Sequence, residues 1–315
     1  SPVGLKADSR GLRNFTCDSS PVVRASEFLS GCLFQRGDVR KALKNVEMRI
    51  PLNYLRSGKH SDKPVNSSQS KLALITGFSL SFPGLPKPAG IPAELPKPAL
   101  VVPPADGGSI GGDEWASFII ESKSGVYPIG KMVREMKSSG LLSASNISDP
   151  DKGIFQSDTG EITLSAKEQL MTVITPRTEA VSLVAGKQVS LKSLEVKKSN
   201  VDATIAVCAM DNKNLDVSGR MVLIFSTEVA NSGMELSHDR KKMLQPGKLP
   251  ILMKTGRVEL AIKHSGGRVA LYALNLDGSR AEKLPLEING GKLIVKLNTA
   301  TLKNGPTPFF ELTEK

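Results

Sequence analysis

Aromatic residues make up only 4% of this 315-residue chain, with one tryptophan, three tyrosines and ten phenylalanines. So few flat rings argue against a groove built from stacking platforms, whether for bases or for sugar faces. Cysteine and histidine are equally sparse. Cys17, Cys32 and Cys208 form no CxxC pair, and His60, His238 and His264 stand far apart, so neither a structural zinc site nor a disulfide framework is expected. No metal or other cofactor is expected. Cys208 falls in the apolar run 203–210 and reads as a buried, inert thiol. No segment approaches the roughly 18 consecutive apolar residues of a membrane-spanning helix, so no membrane span is expected. The opening SPVGLKADSRG lacks the charged-then-apolar order of a signal peptide, and its first residue is Ser, which reads as a processed or truncated start.

What the chain does have is positive charge, +11 in total. Clustered Lys and Arg would favour nucleic acid through counterion release, but the excess is dispersed. Residues 1–150 carry 19 basic and 13 acidic side chains, and residues 151–315 carry 23 and 18. The densest stretch, Arg36 to Lys63, reads as a solvated face, and no nucleic-acid partner is expected.

Along the chain, Val22, Ala25, Phe28, Leu29, Cys32 and Leu33 recur at spacings of three and four, which predicts an amphipathic helix capped by Ser20 with Pro21 at its first position. Arg36-Gly37-Asp38 reads as its stop and turn, and 46–52 as a strand. From Phe82 to Gly112 eight prolines and a twice-repeated LPKPA exclude ladders and helix interiors, predicting an extended connector. A short helix is expected at 129–137. From Asp151 onward, strand-length apolar or alternating runs separated by Gly, Asn, Asp and Pro predict an antiparallel β-sandwich. Gly266-Gly267, Asp277-Gly278 and Asn289-Gly290-Gly291 supply hairpin turns that need positive φ.

Motifs with chemical meaning are few. The Gly107–Gly112 cluster lacks the strand and the Gly-Lys-Ser/Thr ending of a phosphate loop. Arg36-Gly37-Asp38 matches a tripeptide read by some adhesion receptors, and Asn14, Asn66 and Asn146 open glycosylation triplets. In FQSDTGEITL, Asp158 and Glu161 could form the acid/base pair of a glycosidase. The favoured reading is a β-turn in which Asp158 bonds its own backbone and Glu161 opens the next strand. Arg177, in the nearby TPRT turn, is expected to form a bidentate pair with a carboxylate within this chain or on a partner domain. Trp115 and Tyr127 are the aromatic candidates for sugar contact.

The ordered segments SPVVRASEFLSGCLFQRGDV, KLALITGFSLSFPGLPKP, SDTGEI, TPRT and GRVELAIKHSGGRVALYALNLDGSRAEKLPL resemble the C-terminal half of large bacterial glycoside hydrolases of the cellulase and β-galactosidase (β/α)-barrel clan. The resemblance implies a mainly β fold: an antiparallel β-sandwich accessory domain at 151–315, preceded by the helical end of a barrel at 1–81, the Pro/Gly-rich connector at 82–112 and a short helical segment at 113–150. It also implies an upstream catalytic barrel as the partner of the first helix, with Asp158, Glu161 and Arg177 at a domain interface. The substrate would be a poly- or oligosaccharide, and the compartment secreted or periplasmic. No catalytic residue is carried over, because the clan's two glutamates lie on barrel strands upstream of everything here. A free-standing carbohydrate-binding or adhesion module is the alternative.

Overall fold

The computed structural model describes residues 20–49, 74–81, 118–121, 129–238 and 242–314. Within them the protein is mainly antiparallel β and divides into two compact units, residues 40–168 and residues 1–39 with 169–315. The expected connector at 82–112 lies outside the described residues.

Helix α1 (Pro21–Ser30) begins as its sequence predicts, with the Ser20 hydroxyl accepting from the Val23 amide at 3.3 Å and Pro21 in the first turn. The helix then widens into a π-helical turn, Gly31–Gln35, closed by Arg36 N–H donating to Gly31 O at 2.8 Å. Gly37 follows at φ +76°, a conformation that suits a residue without Cβ.

In the unit 40–168, strand β1 (Asn45–Arg49) lies between β2 (Gly77–Ser81) and β3 (Phe118–Glu121), parallel to each. Parallel neighbours need long connections, and residues 50–76 and 82–117 supply the chain length. Helix α2 (Ile129–Ser138) buries Met132, Val133 and Met136 against Val46, Ile75, Leu141, Leu142 and Phe155. Strands β4 (Ile154–Gln156) and β5 (Ile162–Ser165) pair as an antiparallel hairpin.

The larger unit holds β6 (Leu170–Ile174), β7 (Thr178–Leu183), β8 (Val189–Ser190), β9 (Leu194–Ser199), β10 (Ala203–Ala209) and β11 (Arg220–Ser226). Two short ribbons follow, formed by β12 (Val229–Ser232) with β15 (Lys248–Met253) and β13 (Glu235–Leu236) with β14 (Met243–Gln245). The chain closes with β16 (Arg257–Lys263), β17 (Val269–Leu274), β18 (Arg280–Leu284), β19 (Glu287–Asn289), β20 (Lys292–Asn298) and β21 (Phe309–Glu314).

One sheet runs in the order β18-β17-β21-β11-β10-β7-β6, and a second, five-stranded sheet runs β19-β20-β16-β9-β8. Alternation decides what each strand gives the core. Val258, Leu260 and Ile262 of β16 and Leu293, Val295 and Leu297 of β20 share one buried cluster with Ile205, Val207, Leu223, Phe225 and Phe310 of the first sheet. At roughly 25 cal/mol per Å² of apolar surface, burying each such side chain fully contributes about 1.5–3 kcal/mol.

Strands β10 and β11 are buried on both faces. Helix α1 belongs to this same unit and approaches β11, and its Phe28 meets Phe309 of β21 edge to face with centroids 5.9 Å apart. That contact joins residues 281 positions apart, which local periodicity cannot reveal, and Ala25 is the buried residue of the helix, with Val22, Phe28 and Leu29 half-buried.

The hairpin glycines divide. Gly278, Gly290 and Gly291 adopt positive φ as expected, whereas Gly266 and Gly267 do not. At Gly266 the requirement is space, since a Cβ there would stand 2.5 Å from the His264 ring.

Candidate functional site

The SDTGEI turn belongs to the unit 40–168. Ser157 holds it: the Ser157 hydroxyl accepts from the amides of Glu161 and Ile162, each at 3.1 Å, and Gly160 takes φ +77°. The Asp158 carboxylate is buried and turned inward, where Oδ2 accepts from the Lys44 amide and lies near the Thr76 hydroxyl, both at 3.0 Å. Its Oδ1 has no hydrogen-bond partner. The expectation that Asp158 bonds its own turn is therefore corrected, because Ser157 performs that task and frees Asp158 to join two distant strand ends. Glu161 accepts from the Arg40 amide at 2.9 Å and from Arg40 Nε at 2.8 Å, while Arg40 Nη2 reaches Thr159 O at 2.7 Å. The two carboxylates thus serve different partners in different directions.

The TPRT turn, in the other unit, meets the RGD tripeptide. The Asp38 side chain is fully buried between two guanidiniums: Arg36 donates to both of its oxygens, with Nε 3.0 Å from Oδ1, and Arg177 Nη2 stands 2.5 Å from Oδ1. Thr178 donates its hydroxyl to Oδ2 at 2.7 Å. Arg36 Nη1 continues to Ala209 O at 2.6 Å, at the end of β10, and Arg177 Nη1 reaches Asn212 Oδ1 at 3.2 Å. Burial pushes the Asp38 carboxyl up, but hydrogen bonds from Arg36 and Thr178 and the charges of Arg36 and Arg177 outweigh it and hold Asp38 below the ordinary carboxylate value. Arg177 meets a carboxylate of this chain through one nitrogen, and the two-point pair expected of it is made by Arg36 instead. An Asp38 enclosed in this way cannot be offered to an adhesion receptor.

Cys32 and Cys208 are both buried free thiols. Interaction with the Cys208 thiol lowers the Cys32 value despite burial, and interaction with Cys32, together with burial, raises that of Cys208. His264 is also buried, with Nε2 2.9 Å from Ser218 O and Nδ1 accepting from the Gly266 amide at 3.2 Å.

Two further carboxylates are buried. Glu179 is wholly buried on β7 and accepts from the amides of Ser193 and Leu194 at 2.8–2.9 Å, joining the first sheet to the loop that opens β9. Burial raises its carboxyl despite those amides. Glu311 of β21 sits between Arg220 and Arg280, each with Nε at 2.7 Å, and Arg280 lies 4.5 Å above the Tyr272 ring. Burial raises the Glu311 carboxyl, yet the two arginines outweigh it and leave it below its ordinary value. The signal for both was alternation, which places Glu179 on the core face beside Val181 and Glu311 opposite Tyr272.

Among the described residues no group of three or more His, Cys, Asp and Glu side chains could hold a metal ion, and no helix is long and apolar enough to cross a membrane. Asn146 is buried, and its amide donates to Ser157 O at 2.9 Å, so a glycan there would break a structural bond. Asn14, Asn66, Trp115 and Tyr127 lie outside the described residues.

A cavity of about 430 Å³ opens on the five-stranded sheet. Its floor follows from strand register: Lys198, Glu259 and Lys296 stand opposite one another on β9, β16 and β20, and Arg257 faces Asn298 one row along. Asn200 completes the rim. Three cations surround one carboxylate, and no aromatic ring lines the cavity.

No protein-family model matches the chain, and no curated protein matches it.

Proposed function

We propose that this chain is the C-terminal accessory region of a glycoside hydrolase, an antiparallel β-sandwich that supports hydrolysis of glycosidic bonds by an upstream catalytic barrel. The observation that carries this reading is the commitment of the carboxylates in its two signature turns. Asp158 is tied to Lys44, Glu161 to Arg40 and Asp38 to two arginines, so none is free to act as one half of an acid/base pair across a sugar bond. Turns whose carboxylates are each bound by other groups of the chain fit a supporting role. Asp158, Glu161 and Arg177 fix the shape of the loops they stand on, and in this reading those loops border the catalytic domain.

Sugar contact in this region falls to the cavity at Lys198, Arg257 and Lys296, whose volume lies within the range of small-molecule sites. A neutral sugar platform offers rings, and this cavity offers cations instead, which favours a carboxylated or sulfated saccharide. The same cavity would serve the alternative, a free-standing carbohydrate-binding module. Calorimetric titration with oligogalacturonate and with a neutral cello-oligosaccharide tests the ligand class. Binding of the acidic sugar alone, weakened by salt and by Arg257→Ala, is expected. An open reading frame for a barrel upstream of Ser1 separates the accessory region from the free-standing module.

A further inference from the structure

On the reading of the cavity at Lys198, Arg257 and Lys296 as a site for an acidic saccharide, we propose that it is one end of a longer track. The track runs along β16 to a second cationic contact at Lys263 and Lys292 and takes an acidic polysaccharide chain. Strand register lays it out. Arg257, Glu259, Ala261 and Lys263 share the outward face of β16, because the alternate residues Val258, Leu260 and Ile262 fill the core. On β20, Ile294 and Lys292 stand opposite Ala261 and Lys263. At the rise of an antiparallel strand, the distance from Arg257 to Lys263 is about 20 Å.

The charges on this face do not balance. The carboxylates of β9, β16, β19 and β20 are Glu195, Glu259 and Glu287, and each has a lysine: Lys292 stands 2.9 Å from Glu195, Lys296 3.9 Å from Glu287 and Lys197 4.0 Å from Glu259. Among the described residues no carboxylate pairs with Lys198, Arg257 or Lys263, and all three are exposed. A β-bulge produces the excess at the cavity. The register shifts between Glu259 and Leu260, so the consecutive Lys197 and Lys198 both reach the outward face, where Lys197 takes Glu259 and Lys198 stays free. At the other end Lys263 faces Lys292 directly, and like charges in that position destabilise a sheet. An anion seated over the pair removes the repulsion. Between the two ends Ala261 is buried and Ile294 half-buried, a low apolar floor that a sugar ring covers without desolvating a charge. A chain bearing carboxylates along its length meets both ends at once, and the second contact is then intramolecular.

Calorimetric titration of the full chain with oligogalacturonates of increasing length tests the track. The shortest sugars should bind at the cavity alone, with an affinity that falls in Arg257→Ala and is unchanged in Lys263→Glu. Chains long enough to reach Lys263 should bind roughly tenfold tighter, and salt should weaken them more steeply. Lys263→Glu should abolish that gain. The same substitution sets a carboxylate opposite Lys292, so the melting temperature should hold or rise, which separates lost binding from lost fold. No binding at any length overturns the reading of the cavity and the track with it. Binding that does not tighten with length, or a gain that survives Lys263→Glu, overturns the track and leaves the cavity reading standing. Duplex DNA that binds as tightly as the longest oligogalacturonate at the same salt marks a general polyanion surface and overturns the assignment to sugar.

Discussion

The RGD/TPRT corner and the edge of β7 near Ser193 each bury a carboxylate completely, and they compensate it by opposite means. Asp38 is met by two guanidiniums and a hydroxyl, whereas Glu179 is met by the amides of Ser193 and Leu194 and by the Ser193 side chain, with no guanidinium bonded to it. The consequence is that Asp38 is held below its ordinary value and Glu179 above it. Burial is common to the two sites, and the sign of the shift follows from the two guanidiniums bound to Asp38, which outweigh burial there, whereas the amides and the charge of Lys192 do not outweigh it at Glu179. The lesson for function is that a perturbed carboxylate in this chain marks a structural junction: one joins helix α1 to the first sheet, the other joins the two sheets.

The largest effect should come from removing the doubly paired group. Asp38→Ala leaves Arg36 and Arg177 partly buried without a counter-charge and should lower stability by about 3–5 kcal/mol, read as a shift in the denaturant midpoint. A loss under about 1 kcal/mol, the range of an exposed pair, would show that the network is dispensable. At the other site, Glu179→Ala leaves the amides of Ser193 and Leu194 without an acceptor and should cost about 1–3 kcal/mol.

The two sites also predict opposite pH behaviour. Asp38 has a lowered folded value, so its contribution is present above its unfolded value, near 3.8, and is lost as pH falls through its folded value. Glu179 has a raised folded value, so stability declines as pH rises from its unfolded value, near 4.5, through its folded value. Equilibrium unfolding across the acid range up to neutrality should therefore show a flatter acid limb in Asp38→Asn and a smaller decline above about pH 4.5 in Glu179→Gln. Identical slopes in a variant and the wild type would show that the site carries no such linkage. The smallest effect belongs to the surface pair Arg40 and Glu161, where Arg40→Ala should cost about 0–1 kcal/mol and less at high salt.

Much of this architecture is legible in the sequence, and the limits have a physical form. The Ser20–Pro21 helix start, the alternating strands β16 and β20 and the Asp277-Gly278 and Asn289-Gly290-Gly291 hairpins are local signals, and local chemistry encodes them. The packing of Phe28 on Phe309 and the parallel pairing of β1 with β2 and β3 depend on residues far apart, which periodicity does not link. The TPRT turn points to a carboxylate partner for Arg177, yet that partner, Asp38, lies in a tripeptide that reads locally as no more than a turn. Asp158 reads as closing its own turn, and the more local Ser157 hydroxyl takes those amides instead.

The central claim is that the carboxylates of the SDTGEI turn hold structure and perform no chemistry. Assay of this chain on a panel of aryl glycosides and polysaccharides, beside Asp158→Asn and Glu161→Gln, tests it most directly. Turnover at background is expected for all three proteins, with loss of stability in the variants. Turnover by the wild-type chain that disappears in Asp158→Asn or Glu161→Gln would contradict it.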